Sequence, residues 1–137
     1  MEYNADLGLL VIRLAIGLVI APHGAQKLFA WFGGYGVKGT GAWLDSMGAK
    51  NGWVIALLAG IGEFFGGLGI AAGLFTPIAA AGVIIVMLGA IVTAHKGKGF
   101  FNTNGGWEFP LLIALGALGV AIAGPGAYSL AAVLGLF

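Results

Sequence analysis

Six ionisable side chains lie within or beside apolar sequence: Arg13, His23, Lys27, Glu63, His95 and Glu108. Glu63 is the sharpest case. It stands in the middle of residues 53–75, a glycine-rich stretch that has no other charge and is long enough to cross a bilayer. A charge near the bilayer midplane costs about 2.5–3.5 kcal/mol on insertion scales, so a chain that keeps one pairs it, protonates it or uses it. At a rise of 1.5 Å per residue, Glu63 lies about 15 Å from the face carrying the longer loops, Arg13 about 21 Å and His23 about 6–8 Å. Lys27, His95 and Glu108 fall near that face, so the groups form a ladder running past the midplane.

At 100° per residue, Arg13 and Lys27 differ by about 40° and share one helix face. His23 and Lys27 are neighbours at i,i+4, with Pro22 a place where the helix can kink. Arg13 is the opposite charge nearest in depth and hence the expected partner of Glu63. Such a pair reads in two ways. It is a buried bolt between two helices, or it floors a polar cavity whose mouth is lined by His23, Lys27 and His95. In the second reading Glu63, His23 and His95 handle protons, since histidine changes charge near neutral pH, while Arg13 and Lys27 bind.

A second patch, KGKGFFNTNGGWE, runs from Lys96 to Glu108. Asn102 and Asn104 offer amides, Trp107 and two phenylalanines offer rings, and Glu108 offers a carboxylate. The patch can close over a flat small molecule, or it is an aromatic belt with turn-forming residues. His23 and His95, at similar depth, permit axial haem ligation, but nothing else in the chain asks for haem. No third ligand clusters with them, so no metal site is expected. No Walker A loop, dinucleotide fingerprint or nucleophile elbow is present.

The elements that position these groups follow from composition. Of 137 residues, 60% are hydrophobic and 8% charged, with a mean hydropathy of +1.04. Soluble domains carry about 25% charged residues. The chain therefore reads as an integral membrane protein, one domain over 1–137, with the lipid bilayer as its surroundings. A net charge of +1 without a basic cluster excludes nucleic acid as a partner. The absence of cysteine excludes disulfides, cysteine-ligated zinc, iron–sulfur clusters and thiol redox chemistry in this chain. The first ten residues hold two acids and no base, so the first apolar segment reads as a retained helix rather than a signal peptide.

Four segments, at about 7–28, 53–75, 76–95 and 107–124, have crossing length. The expected fold is an all-α membrane protein: a four transmembrane helix bundle with a folded, glycine- and aromatic-rich loop between the first two helices. In that loop, 30–52, residues 40–47 suit a short helix ending at Gly48. The loop is either a cap at headgroup level or a plain interfacial connection. Lys27, Lys38, Lys50, Lys96 and Lys98 fall on one face, which puts that face in the cytoplasm and both termini outside a multi-pass cell-membrane protein. Gly62-x-x-x-Gly66 and Gly69-x-x-x-Gly73 are small-residue faces that serve packing within the bundle or the seam of a homo-oligomer.

The motifs, taken in order, resemble the DoxX family of small four-helix bacterial membrane proteins. They are His23-Gly24-x-x-Lys27-Leu28-Phe29, Gly62-Glu63-Phe64-x-Gly66-Gly67 and Gly73-Leu74-x-Thr76-Pro77. The stretch Met87 to His95 follows, then Gly99-Phe100-Phe101 with Gly105-Gly106-Trp107-Glu108, and Gly124-Pro125-Gly126-x-Tyr128-Ser129-Leu130. Nearly the whole chain is covered. One departure is Ala131, where many members carry an aspartate. The family takes its name from a subunit associated with a thiosulfate:quinone oxidoreductase. The resemblance therefore implies a bacterial inner-membrane, quinone-linked oxidoreductase subunit. It has no covalently bound cofactor, so a quinone or a soluble redox partner would carry the electrons. Glu63, His23 and His95 would exchange protons, and Arg13, Lys27, Asn102, Asn104, Trp107 and Glu108 would contact the substrate. The competing reading is a non-enzymatic module, either a small-solute carrier or a scaffold subunit for a partner complex.

Overall fold

The structure, a computed structural model, describes residues 2–136. They form six α-helices and one 3-10 turn, with no strand among them. The helices are α1 (Ala5–Phe29), α2 (Gly36–Ser46), α3 (Gly52–Ala72), α4 (Thr76–Val92), α5 (Glu108–Ala123) and α6 (Leu130–Val133). The all-α expectation and the four apolar segments hold. α1 and α3 are long and apolar enough to cross a membrane; α4 and α5 are apolar but have 17 and 16 residues.

Local chemistry sets the ends. The Asn4 side chain accepts from the Leu7 N–H and starts α1, which runs through Pro22 without a break. α3 stops short of residue 75 because Gly73 turns left-handed and the Leu74 N–H closes on the Gly69 carbonyl at 2.9 Å. Pro77 occupies the first turn of α4, where a missing N–H costs nothing. α4 ends at Val92, with the Thr93 hydroxyl donating to the Gly89 carbonyl, so His95 lies beyond the helix rather than inside it.

The long helices close in a ring: α1 packs on α3, α3 on α4, α4 on α5 and α5 back on α1. Ile20, Ile70, Val83, Ala117 and Val120 fill the centre. α1 and α3 are antiparallel and approach through glycine. A Cβ at Gly24 would lie 2.3 Å from the Phe64 nitrogen, and one at Gly17 would meet the Gly67 carbonyl. Gly60 sits beside Lys27 and Leu28. α3 therefore extends about two turns past the end of α1.

Those two turns are covered by α2, which begins earlier than the 40–47 expected. Gly41 abuts the Trp53 backbone, and the Gly52 N–H donates to Asp45 Oδ1 at 2.8 Å. The loop is folded onto α3. Gly62 and Gly66 face Val86 and Val83 of α4, Gly69 faces Ala79, and Gly73 faces Ser129 and Arg13. Both small-residue faces thus meet neighbours inside the chain, as the reading of packing within the bundle has it. At the other end, the Ala127 N–H donates to Asp6 Oδ1 at 2.9 Å, bringing the start of α1 and the stretch after α5 to one face.

Candidate functional site

Glu63 is 4% exposed, and its Oε2 receives a 2.6 Å bond from Lys27 Nζ. This is the one side-chain ion pair among the described residues. It replaces the expected Glu63–Arg13 pair. The sequence reckoning set both helices level at the loop face, whereas α3 overshoots α1 there. The offset drops Lys27 to the depth of Glu63 and carries Arg13 toward the far end of α3. The Lys27 side chain, 25% exposed, runs its methylene stem along the helix and brings its ammonium to the carboxylate. Glu63 Oε1 makes no hydrogen bond within the described residues.

Arg13 is 1% exposed and does different work. Its Nε donates to the Ile70 carbonyl at 3.1 Å and Nη2 to Ala71 at 3.0 Å, both in the last turn of α3. Nη1 donates to Pro125 at 2.6 Å and Tyr128 at 3.0 Å, in the connection between α5 and α6. A cation suits a helix C-terminus, and the planar guanidinium reaches two segments at once. Ala131, in α6, is buried, and its N–H donates to the Gly73 carbonyl. This chain satisfies its arginine with carbonyl oxygens.

His23 lies one turn before Lys27, exposed, with its ring 5.6 Å from Phe109 at the start of α5. It therefore belongs with the Lys27–Glu63 pair. His95 does not. Its Nδ1 lies 2.6 Å from the Gly105 carbonyl, and with Lys96 and Trp107 it lines a separate groove that contains none of His23, Lys27 or Glu63. The single cavity expected around all four is not their arrangement. Asn102 and Asn104 form the 3-10 turn and are exposed, and Glu108 Oε2 accepts the Asn102 N–H at 2.9 Å, latching the loop.

The missed feature, the register of α1 on α3, left a trace in the sequence. Gly17 and Gly24 are seven apart, as are Gly60 and Gly67. Setting Gly17 against Gly67 in antiparallel register places Arg13 opposite Ala71 and moves Lys27 toward Glu63. The capture of Arg13 by Pro125 and Tyr128 left none, because backbone acceptors carry no side-chain signature.

Chemically, the pair offers ammonium protons on Lys27 beyond the one given to Glu63. It also has a carboxylate oxygen without a protein partner and an imidazole a turn away. Among the described residues no three His, Asp or Glu side chains cluster as metal ligands would.

Comparison with known proteins bears on the same residues. The family model described as DoxX matches residues 8–96, the span that holds Arg13, His23, Lys27, Glu63 and His95. A Bacillus subtilis (strain 168) protein named "Putative oxidoreductase CatD" is 29% identical over 124 residues, covering 90% of this chain and 84% of its own. No solved structure matches.

Proposed function

We propose a function from the premise that this chain belongs to the DoxX family: it is a four-span subunit of a quinone-linked membrane oxidoreductase, with Lys27, Glu63 and His23 as its intramembrane site. The observation that carries this reading is the Lys27–Glu63 pair, enclosed between two apolar helices. A buried pair is no gain in stability over well-packed apolar side chains, so its retention points to use. The name of the Bacillus subtilis relative supports redox work, and that name is the relative's own.

The ring of long helices supports four spans. α4 and α5 lie alongside α1 and α3, so they share the same depth. Sixteen or seventeen residues reach about 25 Å, the short end of what crosses a bilayer, and bilayers thin to accommodate such lengths. Large apolar side chains such as Val11, Leu58, Ile85 and Leu115 are exposed on the four outer faces, as lipid contact requires.

The donor set fits a quinone headgroup. Lys27 has N–H groups left to donate to a carbonyl, and the exposed His23 ring, held against Phe109, lies one helical turn from Lys27 on the side away from the loop face. A bound quinone would supply the two-electron, two-proton exchange that no side chain here can perform. The residues do the rest. Lys27 orients a carbonyl oxygen, Glu63 keeps the ammonium in place, and His23 exchanges a proton with the headgroup.

The test is ligand-induced stabilisation. Short-chain ubiquinone and menaquinone analogues should raise the melting temperature of the purified protein by mass action. His23→Ala should remove that rise without changing the melting temperature of the unliganded protein. If no analogue produces a rise, the scaffold reading replaces this one.

A further inference from the structure

The groove beyond α4 is outside the Lys27–Glu63 site, and its chemistry is distinct. It measures ≈ 530 Å³ and is lined by Ile91, Val92, His95, Lys96, Gly97 and Trp107, with Gly99 at its edge. We propose that it seats the headgroup of an anionic phospholipid bearing hydroxyls, of the phosphatidylglycerol kind, with an acyl chain lying along α4.

The groove is built rather than frayed. Gly97, Gly99 and Gly105 hold positive φ of 75°, 77° and 72°, turning the chain back on itself. The Trp107 N–H donates to the Gly99 carbonyl at 3.1 Å and the Glu108 N–H to Phe100 at 2.9 Å, closing the loop. The Glu108 carboxylate accepts from the Asn102 backbone, and no acid lines the groove. Lys96 lines it, and the Lys98 stem packs at Gly105, where a Cβ would meet its Cδ at 3.2 Å. The Lys96 ammonium in the groove, with Lys98 beside Gly105, suits a phosphodiester.

His95 adds selectivity. The Gly105 carbonyl can only accept, so the 2.6 Å contact puts the imidazole hydrogen on Nδ1. With Nδ1 engaged by the carbonyl, Nε2 is left to meet a headgroup hydroxyl, which choline lacks. Below the groove, Ile78, Ile85, Leu88 and Val92 are exposed along one face of α4, and Val92 belongs to both stripe and groove. The stripe runs about 21 Å, the scale of an acyl chain. Trp107 stands at the junction, where indole suits the water–lipid boundary.

This inference rests on α4 lying in the bilayer, as the four-span reading has it. The test uses a variant with Trp31, Trp43 and Trp53 changed to Phe, leaving Trp107 as the sole tryptophan. It is placed in phosphatidylcholine nanodiscs doped with either bromine-chain phosphatidylglycerol or bromine-chain phosphatidylcholine. The glycerol lipid should be enriched about fivefold at Trp107, the ratio that about 1 kcal/mol for one basic residue at an anionic surface gives. Lys96→Gln with Lys98→Gln should equalise the two lipids. Equal quenching in the parent, or a preference that survives those changes, overturns the lipid seat while leaving four spans standing. No quenching by either lipid overturns both. Native mass spectrometry of the unmodified chain gives a second measurement. Retained phosphatidylglycerol over phosphatidylcholine, lost in the double lysine variant, is the result expected; equal retention counts against the seat.

Discussion

Glu63 and Lys27 share one bond but not one environment, and that difference sets what each removal costs. Taking away Lys27 leaves a carboxylate enclosed by apolar helices. Taking away Glu63 leaves an ammonium on a flexible stem that can swing toward the loop face. Lys27→Gln is therefore expected to lower unfolding stability by about 3 kcal/mol, and Glu63→Gln by about 1 kcal/mol. The double change should fall near Glu63→Gln alone. Denaturant titration in micelles reads all three, and equal losses for the two single changes would contradict the asymmetry. Arg13 makes a second residue-scale case. Its fork reaches carbonyls on two segments, and an ammonium at one point cannot span them. Arg13→Lys should lose at least two charge-assisted bonds, about 3–6 kcal/mol, seen as a large drop in melting temperature.

At the scale of elements, the α1–α3 register decides which charges meet. Gly24 is the position to test, since its Cβ would strike the Phe64 backbone rather than a yielding side chain. Gly24→Ala should push the helices apart at the ion pair and cost about 1–3 kcal/mol. Gly119→Ala is the control. It lies in α5 with nothing within 4 Å of its new Cβ, and should stabilise by about 0.5–1 kcal/mol through helix propensity. If both changes had the same effect, close approach would not be what Gly24 provides. The same register marks how far the sequence could be read. Helix positions were legible from apolar runs and from Pro77, whereas the stop at Gly73 was not. That Glu63 must be buried and partnered was legible from cost alone. Which cation it meets was not, because depth counted along single helices is blind to the stagger between them. The stagger depends on α2 covering the exposed start of α3, a tertiary arrangement that glycine-rich sequence barely signals. His95 was misplaced for a simpler reason: apolar patterning continues past Val92, where the helix has already ended.

For the whole molecule, the folded ends make topology testable. α1 begins beside the stretch that follows α5, while the loops carrying Lys38 and Lys98 lie at the opposite face. The chain has no cysteine, so single Tyr3→Cys, Lys38→Cys and Lys98→Cys variants need no background removed. An impermeant thiol reagent on intact cells should label Tyr3→Cys, and only permeabilised cells should yield label at the other two positions. Labelling of Tyr3→Cys and Lys98→Cys from the same side would be incompatible with four spans. Lysines on that face then lie toward the anionic inner leaflet, where a phosphatidylglycerol seat has its ligand in supply.

The Arg13 clamp has a consequence for how the protein is made. Two of the arginine's acceptors come 112 and 115 positions after it, so the arginine leaves the ribosome well before them. During insertion the first helix must hold a guanidinium that its finished partners cannot yet satisfy. The connection between α5 and α6 thus acts as a completion seal: until Pro125 and Tyr128 arrive, the arginine has only its Ile70 and Ala71 acceptors. A chain cut before Pro125 would keep only two of the four hydrogen bonds that hold the guanidinium.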